Sequence, residues 1–176
     1  MAIEIIVEDG TGLDTANSYV SVEYADAFHE ASLNGAAWAT KTDTQKMQAL
    51  ITATRMLDQL YIWNGQMVEE TQALQWPRIY VNDPDHAGGR EYMPDDEIPA
   101  AIQKATALYA LALFAVDYES LPQGQGISSF SLDGVMSVSF DPATVMELVP
   151  AWIRALLNKY GALAASKSRD VRVVRT

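Results

Sequence analysis

The chain has 176 residues, of which 49% are hydrophobic, and a formal net charge of -11. That length suits one domain, and that apolar fraction can fill a core. The absence of cysteine excludes disulfides, thiolate chemistry and the usual cysteine zinc frameworks, while the lack of any long apolar run and the acidic start "MAIEIIVEDG" lead us to expect a soluble protein made in the cytosol.

The charge is unevenly distributed. Residues 1–153 hold 22 acidic and 6 basic residues, whereas from Arg154 onward six basic residues face only Asp170. A phosphate backbone is ordinarily bound by clustered Lys and Arg that displace counterions. By that criterion the body repels nucleic acid, and the basic tail is the one segment able to attract it or an acidic protein surface.

In chain order, "AIEIIVE" (2–8) alternates and is rich in β-branched residues, which predicts a short strand ending at "EDGTG". Ser21 can cap a first helix over about 21–32. Met47, Leu50, Ile51, Thr54, Leu57 and Tyr61 recur at helical spacing and predict a second helix capped by Thr42 or Asp43. From Trp63 to Pro99 the periodicity breaks, and "NDPDHAGGREYMPDDEIP" has the composition of a long surface loop. Pro99 fits the first position of a third helix over 99–118, with Asp95, Asp96 and Glu97 beside its positive end. That helix is apolar nearly all round, so several neighbours must cover it.

"LPQGQG" (121–126) reads as a linker. "ISSFSLDGVMSVSF" (127–140) reads as a hairpin turning at Asp133-Gly134. If Leu132 pairs with Val135, apolar residues fall on both faces, Phe130 with Leu132 and Val135 on one and Met136 on the other. A fourth helix starts at Asp141 or Pro150 and runs through Trp152 to Tyr160, with Gly161 as its stop. The expected fold class is mainly α: a small bundle of about four helices with an inserted β-hairpin, a short N-terminal strand and an extended C-terminal arm. The expected division is a helical domain over 1–162 and a basic arm over 163–176.

Catalytic signatures are weak. Asp83, Asp85 and His86 form the one cluster resembling a metal site, but the spacing of a calcium loop is absent. His29 has no evident nucleophile or carboxylate partner in sequence. Neither a phosphate-binding glycine loop nor a hydrolase motif occurs. We therefore expect a protein that is not an enzyme, with no metal and no cofactor. Trp76 and Arg78 in "QALQWPRIYV" could stack and clamp a nucleobase. The structural alternative has Trp76 filling a gap between helices, Pro77 fixing the exit angle and Arg78 bonding carbonyls or a carboxylate.

The ordered blocks "VEDGTGLDTANSYVSVEYADAF", "AAW", "KMQALITATRMLDQLYIWNGQ", "QALQWPR" and "IPAAIQKATALYALAL" resemble tailed-phage proteins labelled DnaT-like single-stranded-DNA-binding proteins. These in turn look like head-tail connector, or adaptor, proteins. The resemblance covers roughly residues 7–116 well and the remainder loosely. It implies a bacteriophage virion protein acting in head completion: a homo-oligomeric, dodecameric ring in the neck that binds the portal and neck or tail proteins and extends the DNA channel, with no membrane partner. Duplex DNA would then pass the lumen without specific binding, and the host cytoplasm would be the site of assembly. Under this reading Trp76, Pro77 and Arg78 form a structural corner. The hairpin residues Phe130, Leu132, Val135 and Met136 meet a neighbouring subunit or ring. Arg169, Arg172, Val173 and Arg175 dock the arm on the portal. The alternative is a single-stranded-DNA-binding replication protein, and a third reading is a metal-dependent hydrolase built on Asp83, Asp85 and His86.

Overall fold

A computed structural model describes residues 3–33, 35–83, 92–115, 129–132, 136–139 and 149–164. Ser21 opens helix α1 (Val22–Glu30): its hydroxyl accepts a hydrogen bond from the Tyr24 N–H, satisfying one of the donors a helix start leaves unpaired. Helix α3 (Asp43–Leu60) begins with a reciprocal cap, in which the Thr42 hydroxyl accepts from Gln45 N–H while the Gln45 side chain accepts from Thr42 N–H. Between them lies the short helix α2 (Gly35–Ala39), which the sequence did not announce because five residues carry too little periodicity to read.

Helix α4 (Ala100–Leu113) follows Pro99, which occupies the N-cap rather than the first helical position. Its final turn tightens at Phe114, whose N–H bonds to Leu111, so the helix is shorter than the expected 99–118. Helix α5 (Ala151–Leu157) starts from Pro150 and ends before Tyr160. Gly161 does not merely stop it. It opens strand β6 (Gly161–Leu163), which runs antiparallel to β1 (Tyr61–Trp63) with Gly161 opposite Trp63. A Cβ at Gly161 would stand 2.7 Å from the Ile62 carbonyl oxygen, so a side chain there would push the two strands apart. A second antiparallel pair, β2 (Gln66–Met67) with β3 (Arg78–Ile79), follows directly.

The expected N-terminal strand is not formed. One parallel bridge joins Val7 to Ser18, and the Asn17 side chain takes the place of a neighbouring strand by accepting from Ile6 N–H and donating to the Glu4 carbonyl. Beyond it the buried Glu8 carboxylate accepts from the N–H groups of Gly10, Gly12 and Leu13, which curls the chain into a turn. Gly10, at φ +102°, also lies so close to the Asp96 carbonyl that a Cβ could not fit. The hairpin consists of β4 (Ser129–Leu132) and β5 (Met136–Ser139). Leu132 pairs with Met136, not with Val135, and Phe130 pairs with Val138, so serines oppose serines and apolar residues oppose apolar ones. That register sets Met136 level with Leu132, where the expected one had assigned these two residues to different faces. The linker 121–126, the turn Asp133-Gly134 with Val135, and the arm from 165 onward lie outside the described residues.

The core sits where α3 packs on α4, with α1 and α5 closing further sides of α4. Leu50, Ala53, Thr54 and Leu57 form a fully buried stripe on α3 at spacings of three and four. On α4, Ala105, Ala107 and Ala110 are fully buried around Ile102 and Tyr109. These small residues let the neighbouring helices approach closely. The mainly helical architecture with a hairpin agrees with the sequence reading.

Candidate functional site

Leu108, Leu111, Ala112 and Phe114 on or just past α4 are only partly buried. This partly buried side of the apolar helix forms the wall of a groove of about 590 Å³ among the described residues, completed by the end of α1, by α2 with Lys41, and by Trp152 on α5. Trp152 is 51% exposed. The Lys41 ammonium lies over the Phe114 ring at 4.9 Å from its centroid, a cation–π placement that leaves the charge at the rim. Trp38 supports Phe114 from behind at 5.9 Å.

His29 is buried beneath this groove. Its Nε2 stands 3.0 Å from the Ala107 carbonyl oxygen; a carbonyl can only accept, so Nε2 carries the proton. Burial lowers the imidazole pKa and outweighs the opposing influence of the Ala107 bond and of Asp26. His29 is accordingly a neutral wall residue rather than a charge. A smaller hollow of about 450 Å³, which shares His29 and Ser32 with the groove, is lined by Asp26, Trp38 and Lys46. There the Asp26 Oδ1 accepts from Trp38 Nε1 at 2.6 Å and from Lys46 Nζ at 2.8 Å, so the Lys46 charge is already matched. The groove therefore offers flat apolar and aromatic surface with Lys41 at its edge, which is chemistry for holding planar rings.

The Trp76-Pro77-Arg78 triplet lies elsewhere and is closed. Trp76 is 0% exposed, with Trp63 and Tyr160 packed against it edge to face at 6.0 Å each. The Trp76–Pro77 peptide bond is cis. Arg78 is buried, and it donates to the carbonyls of Asn64 (2.7 Å), Gln75 (2.9 Å) and Gly65 (2.9 Å). A base cannot stack on a ring with no free face, so the nucleobase reading of this triplet is excluded by packing.

Beside the corner is a buried polar network that the sequence reading missed. Tyr19 Oη donates to Asp58 Oδ1 at 2.6 Å and accepts from Trp76 N–H at 3.2 Å, while Asp58 Oδ2 accepts from Gln75 N–H at 3.0 Å. Burial raises the Asp58 pKa from 3.8 to about 6 against the pull of these hydrogen bonds and of Arg78. Tyr19 is pushed well up by burial and then by Asp58. No motif signals this pair, because 39 residues separate its members.

Of the acidic cluster, Asp83 is described, whereas Asp85 and His86 lie outside the described residues, as do Arg169, Arg172, Val173 and Arg175. The groove residues were legible only in part. Ile153 and Leu157 are the buried members of α5, and Trp152 falls off that four-residue stripe, a signal that it faces away from the core. Lys41 carries no signal at all, since only the fold brings it to Phe114.

Residues 3–176 match a protein family described as "Putative DnaT-like ssDNA binding protein". No curated protein and no solved structure matches the chain. This family match overturns the expectation of a head-tail connector, and with it the virion, the portal, the neck and the ring. That expectation took a second-hand likeness over the label the ordered blocks themselves carried, and it leaned on the summed charge of the body, which does not say where aromatic rings and cations meet. Because the match spans nearly its whole length, the chain belongs to the family of DnaT-like single-stranded-DNA-binding proteins.

Proposed function

We propose that this protein binds single-stranded DNA, with an unpaired base laid over Trp152 in the groove, beside the Lys41–Phe114 pair. Lys41 and the basic residues near the C-terminus, Lys167, Arg169, Arg172 and Arg175, meet the phosphates. The action is binding alone, with no covalent step. The observation that carries this reading is the open aromatic groove with a lysine over one of its rings, in a chain of this family. Stacking on aromatic side chains contributes about 1–3 kcal/mol per base and tolerates any sequence, because every base has a π-face. The net charge of -11 then sets the strength rather than the possibility of binding: affinity is modest and falls with salt.

The test is titration of a fluorescent oligothymidylate with the full-length protein at low salt, followed by anisotropy. Binding that weakens as salt rises, and that Trp152→Ala reduces by about tenfold, a loss of ~1.4 kcal/mol, supports the reading. Absence of measurable affinity at low salt removes it. Binding that Trp152→Ala and Phe114→Ala leave unchanged moves the site out of the groove.

A further inference from the structure

Tyr80 and Tyr92 form an exposed pair at a different place in the fold. Their rings meet edge to face at 5.7 Å, and they are 61% and 41% exposed. Tyr80 has φ +60°, a conformation that bulky side chains avoid. Val81, next in sequence, is fully buried, and its carbonyl accepts from Met93 N–H at 2.8 Å, next to the Asn82–Tyr92 bridge, which fixes the two tyrosine-bearing segments together.

The segment that follows this pair is negatively charged. Asp95, Asp96 and Glu97 follow Tyr92 and are exposed. The turn at 8–13 packs on the Asp96 backbone through Gly10 and on the Glu69 side chain through Gly12, adding Asp9, Glu69 and Glu70 to the same loop cluster. The nearby Arg78 is buried among carbonyl oxygens and leaves this surface charge in place. Such a face repels phosphate and suits a guanidinium, which can lie on a tyrosine ring while bonding carboxylates.

The strand register shows which guanidinium groups originate close by. Gln66 pairs with Ile79, which places Tyr80 opposite Gly65, while Leu163, the last residue of β6, pairs with Tyr61. The four steps along the chain from Tyr61 to Gly65 span at most about 13 Å. Leu163, from which the chain leads into the basic segment, therefore lies within two strand spacings plus about 13 Å of Tyr80, and a dozen residues can extend roughly 40 Å. Within 166–176, Lys167, Arg169, Arg172 and Arg175 face a single acid, Asp170.

We infer that the Tyr80–Tyr92 face is the docking surface for the basic C-terminal segment of the same chain, with arginines lying on the two rings and the carboxylates of the loop cluster matching their charge. In this arrangement the acidic face holds the basic segment until a polyanion competes for it. The contact itself does not depend on the groove binding DNA.

The experiment uses full-length protein carrying Tyr80→p-benzoylphenylalanine, with the photo-crosslinks mapped by mass spectrometry in an equal mixture of isotopically heavy and light copies. The expected result is crosslinking to residues 166–176 within one copy, reduced severalfold between 50 mM and 0.5 M salt as surface charges are screened. Crosslinks absent from 166–176, or formed only between heavy and light copies, overturn the inference. Should that substitution disturb folding, the paired change Arg172→Gln and Arg175→Gln in the otherwise native chain is expected to shift the Tyr80 and Tyr92 ring resonances and leave those of Trp76 in place; unshifted tyrosines overturn it equally. An oligothymidylate that binds the protein without reducing the crosslink rejects the competition, and a protein that binds no oligothymidylate yet crosslinks rejects only the groove reading.

Discussion

The corner and the groove each set a tryptophan near a basic side chain, and the structure gives them opposite fates. At the corner, Trp76 is sealed between Trp63 and Tyr160, and the Arg78 donors are engaged by three backbone carbonyls. At the groove, Trp152 keeps half its surface open, and Lys41 lies over a ring rather than a carboxylate. The residue types are nearly the same; what differs is whether the ring has a free face and whether the cation's donors are engaged. A tryptophan beside an arginine in sequence therefore carries no functional meaning until those two questions are answered.

The contrast can be broken most sharply at the corner. Trp76→Ala is expected to cost about 3–5 kcal/mol of stability, measured by chemical denaturation; a near-native midpoint would mean that the corner is not sealed. Next in size is the pH response of Asp58. Its folded pKa of about 6 lies above the unfolded value of 3.8, so the native state binds more protons between these values. Its contribution is complete below pH 3.8 and is lost as pH rises through 6, a change of about 3 kcal/mol. Stability curves from pH 4 to 7 are expected to show this slope, and Asp58→Asn to flatten it. In that variant the amide can still accept from Tyr19, but an NH₂ then faces the Gln75 N–H, so it is also less stable throughout.

Smaller effects sharpen the comparison. Arg78→Lys keeps the charge but loses the planar fork that reaches three carbonyls, and a loss of about 1–3 kcal/mol is expected in thermal unfolding. Trp152→Ala is expected to change stability by less than about 1 kcal/mol while lowering oligothymidylate affinity about tenfold; equal losses of both would make the groove a second corner. Lys41→Ala is expected to reduce the slope of log affinity against log salt by about 0.7, the value for one single-strand phosphate contact, with unfolding unchanged.

How far the sequence could be read depended on the range of the interactions involved. The α1 and α3 starts were legible because Ser21 and Thr42 cap within three residues, a local hydrogen bond that any context preserves. The stripe on α3 was legible for the same reason, as periodicity along one helix. The N-terminal strand was not, because a strand needs a neighbour and this one met only a short segment around Ser18. The hairpin's two strands were legible but their register slipped by one residue, since the alternation of serine with apolar residues permits more than one pairing. Of the groove, Trp152 left a faint trace by falling outside the buried stripe of α5, whereas Lys41 left none.

The amino-acid order alone was enough for a mainly helical chain, the positions of its capped helices, an acidic body with a basic end, and a likeness to the family labelled DnaT-like through the order of its blocks. Only the tertiary structure decided which aromatic rings are closed and which stay open, that Asp58 meets Tyr19 across 39 residues, and that Lys41 meets Phe114. Helix caps and periodicity are fixed by neighbours along the chain. A ring's free face and a buried carboxylate's partners are fixed by which distant segments pack against them, and no local pattern records that.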